Sequence, residues 1–313
     1  MKILVSCPPM LGMLDEFLPF AAAKGLTLVP AKVTQTLSEK DLITQLPLYD
    51  GWIIGDDPAT RQVFVAGKSG KLKAAVKWGI GTDNVDFIAC KELNIPVINT
   101  PLMFGKEVAD VALGYIIGLA RQLFFIDREV RLNDGWPKPA GMSLAGKKIA
   151  VVGLGDIGSN LVNRLLACEM VVTGYDPSTT ALTENIIRRN WPEGISEQDF
   201  IIFTCSLNEA TFHMLNSEIL SMCKDGVFVV NVARGPLIDE PALIDALEVG
   251  KVKAAALDVF EDEPLSQNSK LKEMPLCILG THNGSNTREA VIRASHIAIE
   301  RMHKFLSDQI DGN

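Results

Sequence analysis

The chain has no long apolar run and no excess of positive charge. Its longest apolar window, residues 111–120, lies between Asp110 and Arg121 and is well short of the roughly 20 residues that a membrane-spanning helix needs. The 30 Lys and Arg residues are outnumbered by 38 Asp and Glu residues, which gives a net charge of −8 and no basic excess for a nucleic-acid backbone. We therefore expect neither a membrane nor a nucleic acid as a partner.

The chain also lacks paired cysteines and a secretory signal. Its six cysteines are scattered over 313 residues without CxxC spacing, so we expect reduced thiols and interpret Cys205 as structural rather than redox-active. No cluster has metal-ligand spacing, and no metal is predicted. The opening residues MKILVSCPP run directly into a strand-like pattern without an apolar signal region, which makes a cytoplasmic location the expectation.

Length and composition indicate a globular protein of two domains. Hydrophobic residues make up 47% of the chain and charged residues 22%, which is ordinary for soluble folds. Short apolar runs that end in Gly, Pro, Asn or Asp alternate with helical segments, a pattern typical of βα units around parallel sheets. Four such runs precede residue 101, and six lie between residues 147 and 281. The sequence therefore predicts the α/β class with two parallel-sheet domains.

Two longer segments have helical character. Residues 106–131 are apolar on most sides through their first half, so this predicted helix must be buried, either in the core of one chain or against its copy in a homodimer. We favour the homodimer. After Thr281 the chain again has apolar residues near helical spacing, and because it ends there we expect this last helix to return to the first domain.

A glycine motif opens the second series of strands. Gly153, Gly155 and Gly158 directly follow an apolar strand and precede a helical segment. At such a turn, glycines allow the backbone to approach a pyrophosphate, which the helix N-terminus attracts. Asp176 ends the next strand, about 20 residues further on, where a carboxylate suits the adenine-ribose hydroxyls and repels a 2′-phosphate. The sequence therefore predicts NAD rather than NADP.

Three further predicted strands end in charged or titratable residues, which are Arg234, Asp258 with Glu263, and His282. Each residue alone also fits an ordinary loop or surface role. Their convergence favours a site, because ligands of open α/β sheets bind at the carboxyl ends of the strands. An arginine can hold a carboxylate through two hydrogen bonds, and a His–Glu pair can transfer protons. This combination indicates hydride transfer on a 2-hydroxy acid.

Over essentially the whole chain, these motifs resemble the D-isomer-specific 2-hydroxyacid dehydrogenase family. The resemblance is carried by WGIGTDNVD (78–86), NTP (99–101), GLGDIG (153–158), NVARGPLIDE (231–240), ALDVFEDEP (256–264) and His282. It implies an NAD-binding Rossmann domain of residues 100–285, inserted into a discontinuous, flavodoxin-like substrate domain of residues 1–99 and 286–313. It also implies an NAD-dependent dehydrogenase that acts on a small 2-hydroxy acid.

The resemblance implies roles for individual residues. Arg234 would bind the substrate carboxylate, and His282 would be the general acid/base, oriented by Glu263. Asp258 would lie near the nicotinamide carboxamide. The residues expected to contact NAD are Gly153, Gly155, Asp156, Ile157, Gly158, Asp176, Cys205, Val232, Ala233, Asp258 and Ser285. Those expected to contact the substrate are Lys77, Ile80, Gly81 and Arg234.

The sequence is compatible with several substrates. Lys77 has a position similar to the arginine that contacts substrate phosphate in phosphoglycerate dehydrogenases, although a lysine at a strand rim is also commonly solvated. The LARQ and DNVD segments resemble the same branch, which favours D-3-phosphoglycerate and 3-phosphohydroxypyruvate, in a short form without a C-terminal regulatory domain. A glyoxylate/hydroxypyruvate or D-lactate type reductase is the alternative.

A function of another class is also compatible with the resemblance. Some relatives of this family are NAD(H)-sensing scaffolds in transcriptional corepression and share the Arg–Glu–His set. The chain shows no disordered tail that would recruit partners, which favours an enzyme.

Overall fold

The computed structural model describes residues 1–178 and 185–308. The chain divides into two compact units, unit 1 (Met1–Phe104 and Asn286–Asn313) and unit 2 (Gly105–Ser285). The sequence analysis places the first boundary after residue 99, and unit 1 continues to residue 104. Residues 100–104 belong to unit 1 because the Thr100 hydroxyl accepts a hydrogen bond from the Gly79 N–H at 2.8 Å and the Phe104 ring lies 5.0 Å from that of Trp78.

Unit 1 contains a parallel sheet with the strand order β2-β1-β3-β4-β5 among the described residues. Its strands are β1 (Lys2–Val5), β2 (Thr27–Pro30), β3 (Gly51–Ile54), β4 (Ala74–Lys77) and β5 (Val97–Asn99). Its first helices are α1 (Pro8–Leu11), α2 (Leu14–Ala22), α3 (Glu39–Gln45), α4 (Arg61–Ser69) and α5 (Phe87–Glu92). Every residue of β3 and β4 is buried, which explains why their sequences are apolar apart from Lys77 at the end of β4. Strand β2 was missed because it is short and ends in a proline.

Unit 2 contains the second parallel sheet. In the described part of the chain its order is β12-β11-β10-β9-β6-β7-β8. Its strands are β6 (Lys148–Val152), β7 (Val171–Tyr175), β8 (Ile187–Arg188), β9 (Phe200–Phe203), β10 (Val227–Asn231), β11 (Val252–Leu257) and β12 (Ile278–Leu279). Strand β8, two exposed residues, was not predicted because it has no apolar pattern. The predicted α/β class with two parallel sheets is confirmed, and the strand order reverses at β6, where open sheets bind ligands.

The helices of unit 2 correct one prediction. They are α6 (Gly105–Arg121), α7 (Leu123–Leu132), α8 (Asp156–Ala167), α9 (Ser217–Met222) and α10 (Glu240–Glu248). A single helix over residues 106–131 is wrong, because Gln122 has a left-handed φ of 54° and α6 and α7 bend by 68°. The buried residues of α6 pack within unit 2 against α8 and the sheet, so its apolar character needs no second chain.

The residues that the structure describes include apolar helices. No single helix there is long and apolar enough to cross a membrane, although the bent pair α6 and α7 passes that test together on length and composition.

The last helix, α11 (Arg288–Asp308), packs in unit 1. It lies against β3 and β4, and Ser295 accepts a hydrogen bond from the Trp78 indole at 3.1 Å. The backbone of Gly51 in β3 approaches Met302 so closely that a Cβ at residue 51 would lie 2.5 Å from the methionine sulfur. The C-terminal segment thus covers the sheet formed by the N-terminal hundred residues.

Candidate active site

The glycine motif forms the turn between β6 and α8. Gly153 has a φ of +94°, and a Cβ there would lie 2.6 Å from the Cα of Cys205. A Cβ at Gly158 would lie 2.0 Å from the Gly153 carbonyl oxygen, so neither position accepts a side chain. A Cβ at Gly155 would meet no atom within 4 Å, and Gly155 is the N-cap of α8 without a side-chain cap. The turn therefore leaves open space at a helix N-terminus, which suits an anionic group.

Asp176, at the end of β7, lies beside this turn. Its carboxylate accepts hydrogen bonds from the Leu154 N–H at 2.7 Å and from the N–H and hydroxyl of Ser178 at 2.9 and 2.8 Å. The carboxylate is thus held next to the glycine turn by main-chain donors on two sides. This position suits ribose hydroxyls and disfavours a 2′-phosphate.

The side chains of Asp156 and Cys205 contact other residues of unit 2. The Asp156 carboxylate lies against Gly105 at the start of α6 and accepts a hydrogen bond from the Asn160 side chain at 3.2 Å. The Cys205 sulfur lies 3.9 Å from the Met214 sulfur, and burial raises the pKa of this thiol to about 12. Asp156 and its neighbour in the first turn of α8 therefore offer main-chain N–H groups, and Cys205 is an unreactive thiol at neutral pH.

The segment after β10 positions Arg234. Asn231, which is 1% exposed, accepts a hydrogen bond from the Ala233 N–H at 3.0 Å and donates one to the Arg234 carbonyl at 2.8 Å. Val232 and Ala233 are buried, Arg234 is half-buried, and its guanidinium donates to the Ala233 carbonyl at 2.9 Å. Sequence reasoning missed Asn231, because an asparagine at a strand end also serves ordinary turns.

Gly235 brings this segment against the one that follows β11. A Cβ at Gly235 would lie 1.9 Å from the carbonyl of Phe260, so the two backbones are in direct contact. The Phe260 N–H donates to Oε1 of Glu263 at 3.0 Å, and Oε2 of Glu263 lies 2.8 Å from Nδ1 of His282. The structure thus brings the predicted glutamate and histidine together.

The Glu263–His282 pair is shielded from solvent. The two side chains are 19% and 21% exposed. Because an ionised carboxylate only accepts hydrogen bonds, Nδ1 of His282 carries a proton and Nε2 is the nitrogen that can exchange one with a ligand. A neighbouring carboxylate stabilises the imidazolium, which suits a general acid.

Asp258 contacts both helix α6 and the segment that carries His282. It is 3% exposed, and its carboxylate accepts hydrogen bonds from the Tyr115 hydroxyl at 3.1 Å and the Gly284 N–H at 2.8 Å. Its carbonyl accepts the N–H of His282 at 2.7 Å. Ser285 follows Gly284 and is half-buried. Tyr115 was not predicted, because a tyrosine in an apolar helix resembles a core residue.

The predicted substrate contact Lys77 lies at the end of β4 in unit 1. Its buried ammonium donates hydrogen bonds to the Gly55 carbonyl at 2.6 Å, the Asp56 carboxylate at 3.0 Å and the Trp78 carbonyl at 3.2 Å. An ammonium has three N–H donors, and all are used. In the structure, Lys77 thus has no unused donor for a substrate phosphate, and its role in substrate binding stays a prediction.

The loop after β4 carries the other predicted substrate contacts, Ile80 and Gly81. The Asn99 side chain donates to the Ile80 carbonyl at 2.9 Å, and the N–H of Gly79 is held by Thr100 at 2.8 Å. Within the residues that the structure describes, the N–H groups of Ile80 and Gly81 donate no hydrogen bond. The loop is thus fixed while two main-chain donors stay available.

The residues of unit 2 fit NAD. The glycine turn provides a cradle that a Cβ at Gly155 would fill, and α8 directs its N-terminal dipole into it. Asp176 provides the ribose-binding carboxylate at the adjacent strand end. Among the described residues, no group of three or more His, Cys, Asp or Glu side chains could hold a metal ion.

Comparison with known proteins agrees with this geometry. The family model described as "D-isomer specific 2-hydroxyacid dehydrogenase, NAD binding domain" matches residues 113–284. The hydroxypyruvate reductase of Thermotoga maritima is 36% identical over 282 residues, which cover 88% of this chain and 91% of that protein. The D-lactate dehydrogenase from Aquifex aeolicus, solved with NAD and lactic acid, superposes with a TM-score of 0.81 at 25% identity and covers 100% of this chain and 98% of that one.

A second relative is longer than this chain. The D-3-phosphoglycerate dehydrogenase of Methanocaldococcus jannaschii is 33% identical over 290 residues, which cover 90% of this chain and 54% of that protein. The chain thus spans about half the length of this relative. The matches by sequence cover most of this chain at more than 30% identity. The chain therefore belongs to the D-isomer specific 2-hydroxyacid dehydrogenase family and is an NAD-dependent oxidoreductase.

Proposed function

We propose that the protein interconverts a small, unphosphorylated 2-oxo acid of the hydroxypyruvate type and the corresponding D-2-hydroxy acid. The observation that carries this substrate choice is the buried Lys77 ammonium, whose three donors are all taken by unit 1. A residue in this state does not offer a positive charge to a substrate phosphate. The similarity to a hydroxypyruvate reductase over 91% of that protein supports the same choice.

Substrate binding is assigned to Arg234 and to the loop after β4. The Arg234 guanidinium, anchored on the Ala233 carbonyl, binds the substrate carboxylate through its planar set of donors and polarises the carbonyl. The N–H groups of Ile80 and Gly81 supply further hydrogen bonds to the substrate. Unit 1 is accordingly proposed to be the substrate domain and unit 2 the cofactor domain.

Cofactor binding is assigned to the strand ends of unit 2. Main-chain N–H groups of the first turn of α8 bind the pyrophosphate at the glycine turn, and Asp176 binds the adenine ribose. Asp258 accepts a hydrogen bond from the nicotinamide carboxamide. The residues expected to line the same site through their main chain or through packing are Val232, Ala233, Cys205 and Ser285.

The His282–Glu263 pair moves the proton. NADH, when bound, would supply the hydride for C2 of the oxo acid. His282 starts protonated and transfers the proton on Nε2 to the carbonyl oxygen of the substrate, so that the oxo acid becomes the hydroxy acid and His282 becomes neutral. Glu263 holds the ring and stabilises its positive charge before transfer. In the oxidation direction, neutral His282 accepts the hydroxyl proton.

The substrate assignment is tested by following NADH oxidation with purified protein and five acids. These are hydroxypyruvate, glyoxylate, pyruvate, 2-oxoglutarate and 3-phosphohydroxypyruvate. We expect kcat/KM for hydroxypyruvate to exceed that for 3-phosphohydroxypyruvate by about tenfold or more, because the three donors of the Lys77 ammonium are already used within unit 1. A preference for the phosphorylated acid would overturn the substrate assignment and leave the family intact.

The variant His282→Asn separates the catalytic role from folding. His282 has a φ of +54°, a conformation that asparagine tolerates better than most residues. We expect kcat to fall about 10³-fold while the NADH dissociation constant changes less than threefold. Unchanged turnover would remove His282 from the mechanism. Negligible turnover of the wild type on every acid, together with NADH-dependent assembly with a partner protein, would instead favour the corepressor-like scaffold.

3-Phosphohydroxypyruvate is the second candidate substrate. It is favoured by the 33% identity to the D-3-phosphoglycerate dehydrogenase of M. jannaschii. The same five-acid comparison decides between the two candidates.

We also propose that the protein forms a homodimer. Helix α7 has no buried residue and exposes Leu123, Phe124, Val130 and Leu132, an apolar surface that a second copy would cover. Light scattering coupled to size-exclusion chromatography measures the mass in solution. A monomer at micromolar concentration would contradict this proposal.

A further inference from the structure

Tyr115 of α6 places its hydroxyl beside the carboxylate of Asp258. The hydroxyl donates a hydrogen bond to Oδ1 of Asp258 at 3.1 Å. The backbone of Gly280 covers this contact, since a Cβ at residue 280 would lie 2.4 Å from the tyrosine oxygen and 2.2 Å from Oδ1. The two side chains therefore meet in a place with no room for another side chain.

Further hydrogen bonds link Asp258 to the segment that carries His282 and to Asn231. Oδ2 accepts the Gly284 N–H at 2.8 Å, the Asp258 carbonyl accepts the His282 N–H at 2.7 Å, and the Asp258 N–H donates to the Asn231 carbonyl at 2.9 Å. The position of the Asp258 carboxylate and the left-handed backbone at His282 are thus set by one group of hydrogen bonds.

In the hydrogen bond between Tyr115 and Asp258, the tyrosine is the donor. Burial raises the pKa of the Tyr115 phenol, and the Asp258 charge and hydrogen bond raise it further. The phenol therefore stays protonated and donates. A carboxylate has about four lone-pair sites, of which Tyr115 and Gly284 each use one, so Asp258 can still accept an N–H from a ligand.

The hydroxyl is not required for packing. On α6 the buried neighbours of residue 115 are Ala112, Ile116, Gly118 and Leu119, and a phenylalanine would fill the same volume. What the hydroxyl adds is a donor for a carboxylate that is 3% exposed, a state that is costly unless hydrogen bonds compensate it.

We infer that Tyr115 is a positioning residue for the nicotinamide end of NAD. By donating to Oδ1 it holds the Asp258 carboxylate in place as an acceptor for the carboxamide NH2. This inference rests on the role proposed above for Asp258. It concerns binding of the nicotinamide group, and it is independent of which acid is the substrate.

The test compares Tyr115→Phe with a matched control, Tyr175→Phe. The Tyr175 hydroxyl donates to the Glu193 carbonyl at 2.7 Å in the same unit, so each variant deletes one hydroxyl and one hydrogen bond. Dissociation constants of NADH and ADP-ribose are measured by fluorescence titration and calorimetry, and melting temperatures are recorded for both variants. ADP-ribose lacks the nicotinamide and serves as the probe for the rest of the site.

We expect Tyr115→Phe to weaken NADH binding about five- to tenfold, in line with loss of one hydrogen bond to a charged group, and to leave ADP-ribose binding within twofold. Tyr175→Phe should change neither of the two dissociation constants. Equal weakening of both ligands by Tyr115→Phe, or no weakening of either, would overturn the inference. So would a loss specific to NADH in Tyr175→Phe, since it would show that any buried hydroxyl of the unit has this effect.

A cofactor analogue tests the carboxamide itself. The reduced 3-acetylpyridine analogue of NADH keeps the carbonyl group attached to the ring but has a methyl group in place of the amide NH2. If Tyr115 acts through Asp258, Tyr115→Phe should bind this analogue within twofold of the wild type. A five- to tenfold loss with the analogue, equal to that with NADH, would contradict the inference. These binding measurements use no substrate, so failure of the five-acid comparison would leave their outcome interpretable.

Discussion

Oε2 of Glu263 lies 2.8 Å from Nδ1 of His282, while the other oxygen of the same carboxylate is held by the main-chain N–H of Phe260 at 3.0 Å. The carboxylate is thus fixed by the backbone and cannot rotate away from the ring without losing a hydrogen bond. This arrangement keeps a negative charge beside the imidazole whichever way the reaction runs.

Glu263→Gln should change the pH dependence of the reaction. A glutamine can still accept the Phe260 N–H, but it faces His282 without a negative charge and stabilises the imidazolium less. Reduction needs protonated His282 and is lost as pH rises, so we expect kcat near neutral pH to fall about 10- to 100-fold and the loss to grow toward higher pH. Stopped-flow NADH oxidation over a pH series provides the measurement.

The matched control for this change is Asp262→Asn. Asp262 is exposed in the same segment, so this variant removes one negative charge without touching the histidine. We expect its pH profile to follow that of the wild type. Identical profiles for Glu263→Gln and the wild type would show that the 2.8 Å contact does not govern proton transfer.

Alanine substitutions in the glycine turn should separate binding from folding. At Gly155 a Cβ meets no atom within 4 Å, so Gly155→Ala should fold with an unchanged melting temperature while its methyl group occupies the space for the pyrophosphate. We expect NADH to bind about tenfold or more weakly. At Gly158 a Cβ would lie 2.0 Å from the Gly153 carbonyl oxygen, so Gly158→Ala should lower both melting temperature and affinity.

Calorimetric titration with NADH and thermal unfolding measure the two effects. If Gly155→Ala kept wild-type affinity, the open space at the start of α8 would not be the pyrophosphate site. If Gly158→Ala were as stable as the wild type, the strand and helix would tolerate a wider separation than the structure shows.

Lys77→Met should act on stability rather than on substrate choice. It removes the donor shared by the Gly55 carbonyl, the Asp56 carboxylate and the Trp78 carbonyl. Removing this buried donor from the three acceptors should lower the free energy of unfolding by about 2–4 kcal/mol, as measured by urea denaturation. The ratio of kcat/KM for hydroxypyruvate to that for 3-phosphohydroxypyruvate should stay constant.

Lys71→Met is the control for this variant, because Lys71 is exposed in the same unit. We expect it to change neither stability nor selectivity. A loss confined to the phosphorylated acid in Lys77→Met would restore Lys77 as a phosphate contact.

Asp199→Asn should remove a pH-dependent contribution to stability. Burial alone would raise the pKa of Asp199, but the Lys224 ammonium at 2.7 Å and the Lys148 N–H at 3.0 Å hold that pKa below its usual value. A lowered folded-state pKa stabilises the protein above the unfolded-state pKa, about 3.9, and this contribution is lost as pH falls through the folded-state value. We expect a deficit of about 2 kcal/mol at pH 7 that shrinks below about pH 4.

Urea denaturation between neutral and acidic pH measures this difference. Asp225→Asn is the control, because the Asp225 side chain is 90% exposed in its ion pair with Lys251 and such pairs contribute little. A deficit for Asp199→Asn that stayed constant with pH would show that the effect is one of packing rather than of charge.

Features that depend on local pattern could be predicted from the sequence. Alternating apolar runs and helical segments predicted the two parallel sheets, because strand and helix periods are properties of short segments. The glycine turn, Asp176, Glu263 and His282 were singled out for a similar reason, since each lies at or within a few residues of the end of a predicted strand and the carboxyl ends of parallel strands meet at one edge. The break of the long helix at Gln122 was missed, because no proline or glycine marks it.

Which of these side chains form hydrogen bonds depends on how distant segments of the chain pack together. Tyr115 and Asp258 are 143 residues apart, and the Lys77 ammonium meets the Gly55 carbonyl across 22 residues. No local pattern contains such pairs, because they arise when separate elements pack and buried polar groups must find partners within reach. From the sequence, a lysine at a strand end is thus expected to be an exposed cation. In the fold, Lys77 is buried and all three of its N–H donors form hydrogen bonds.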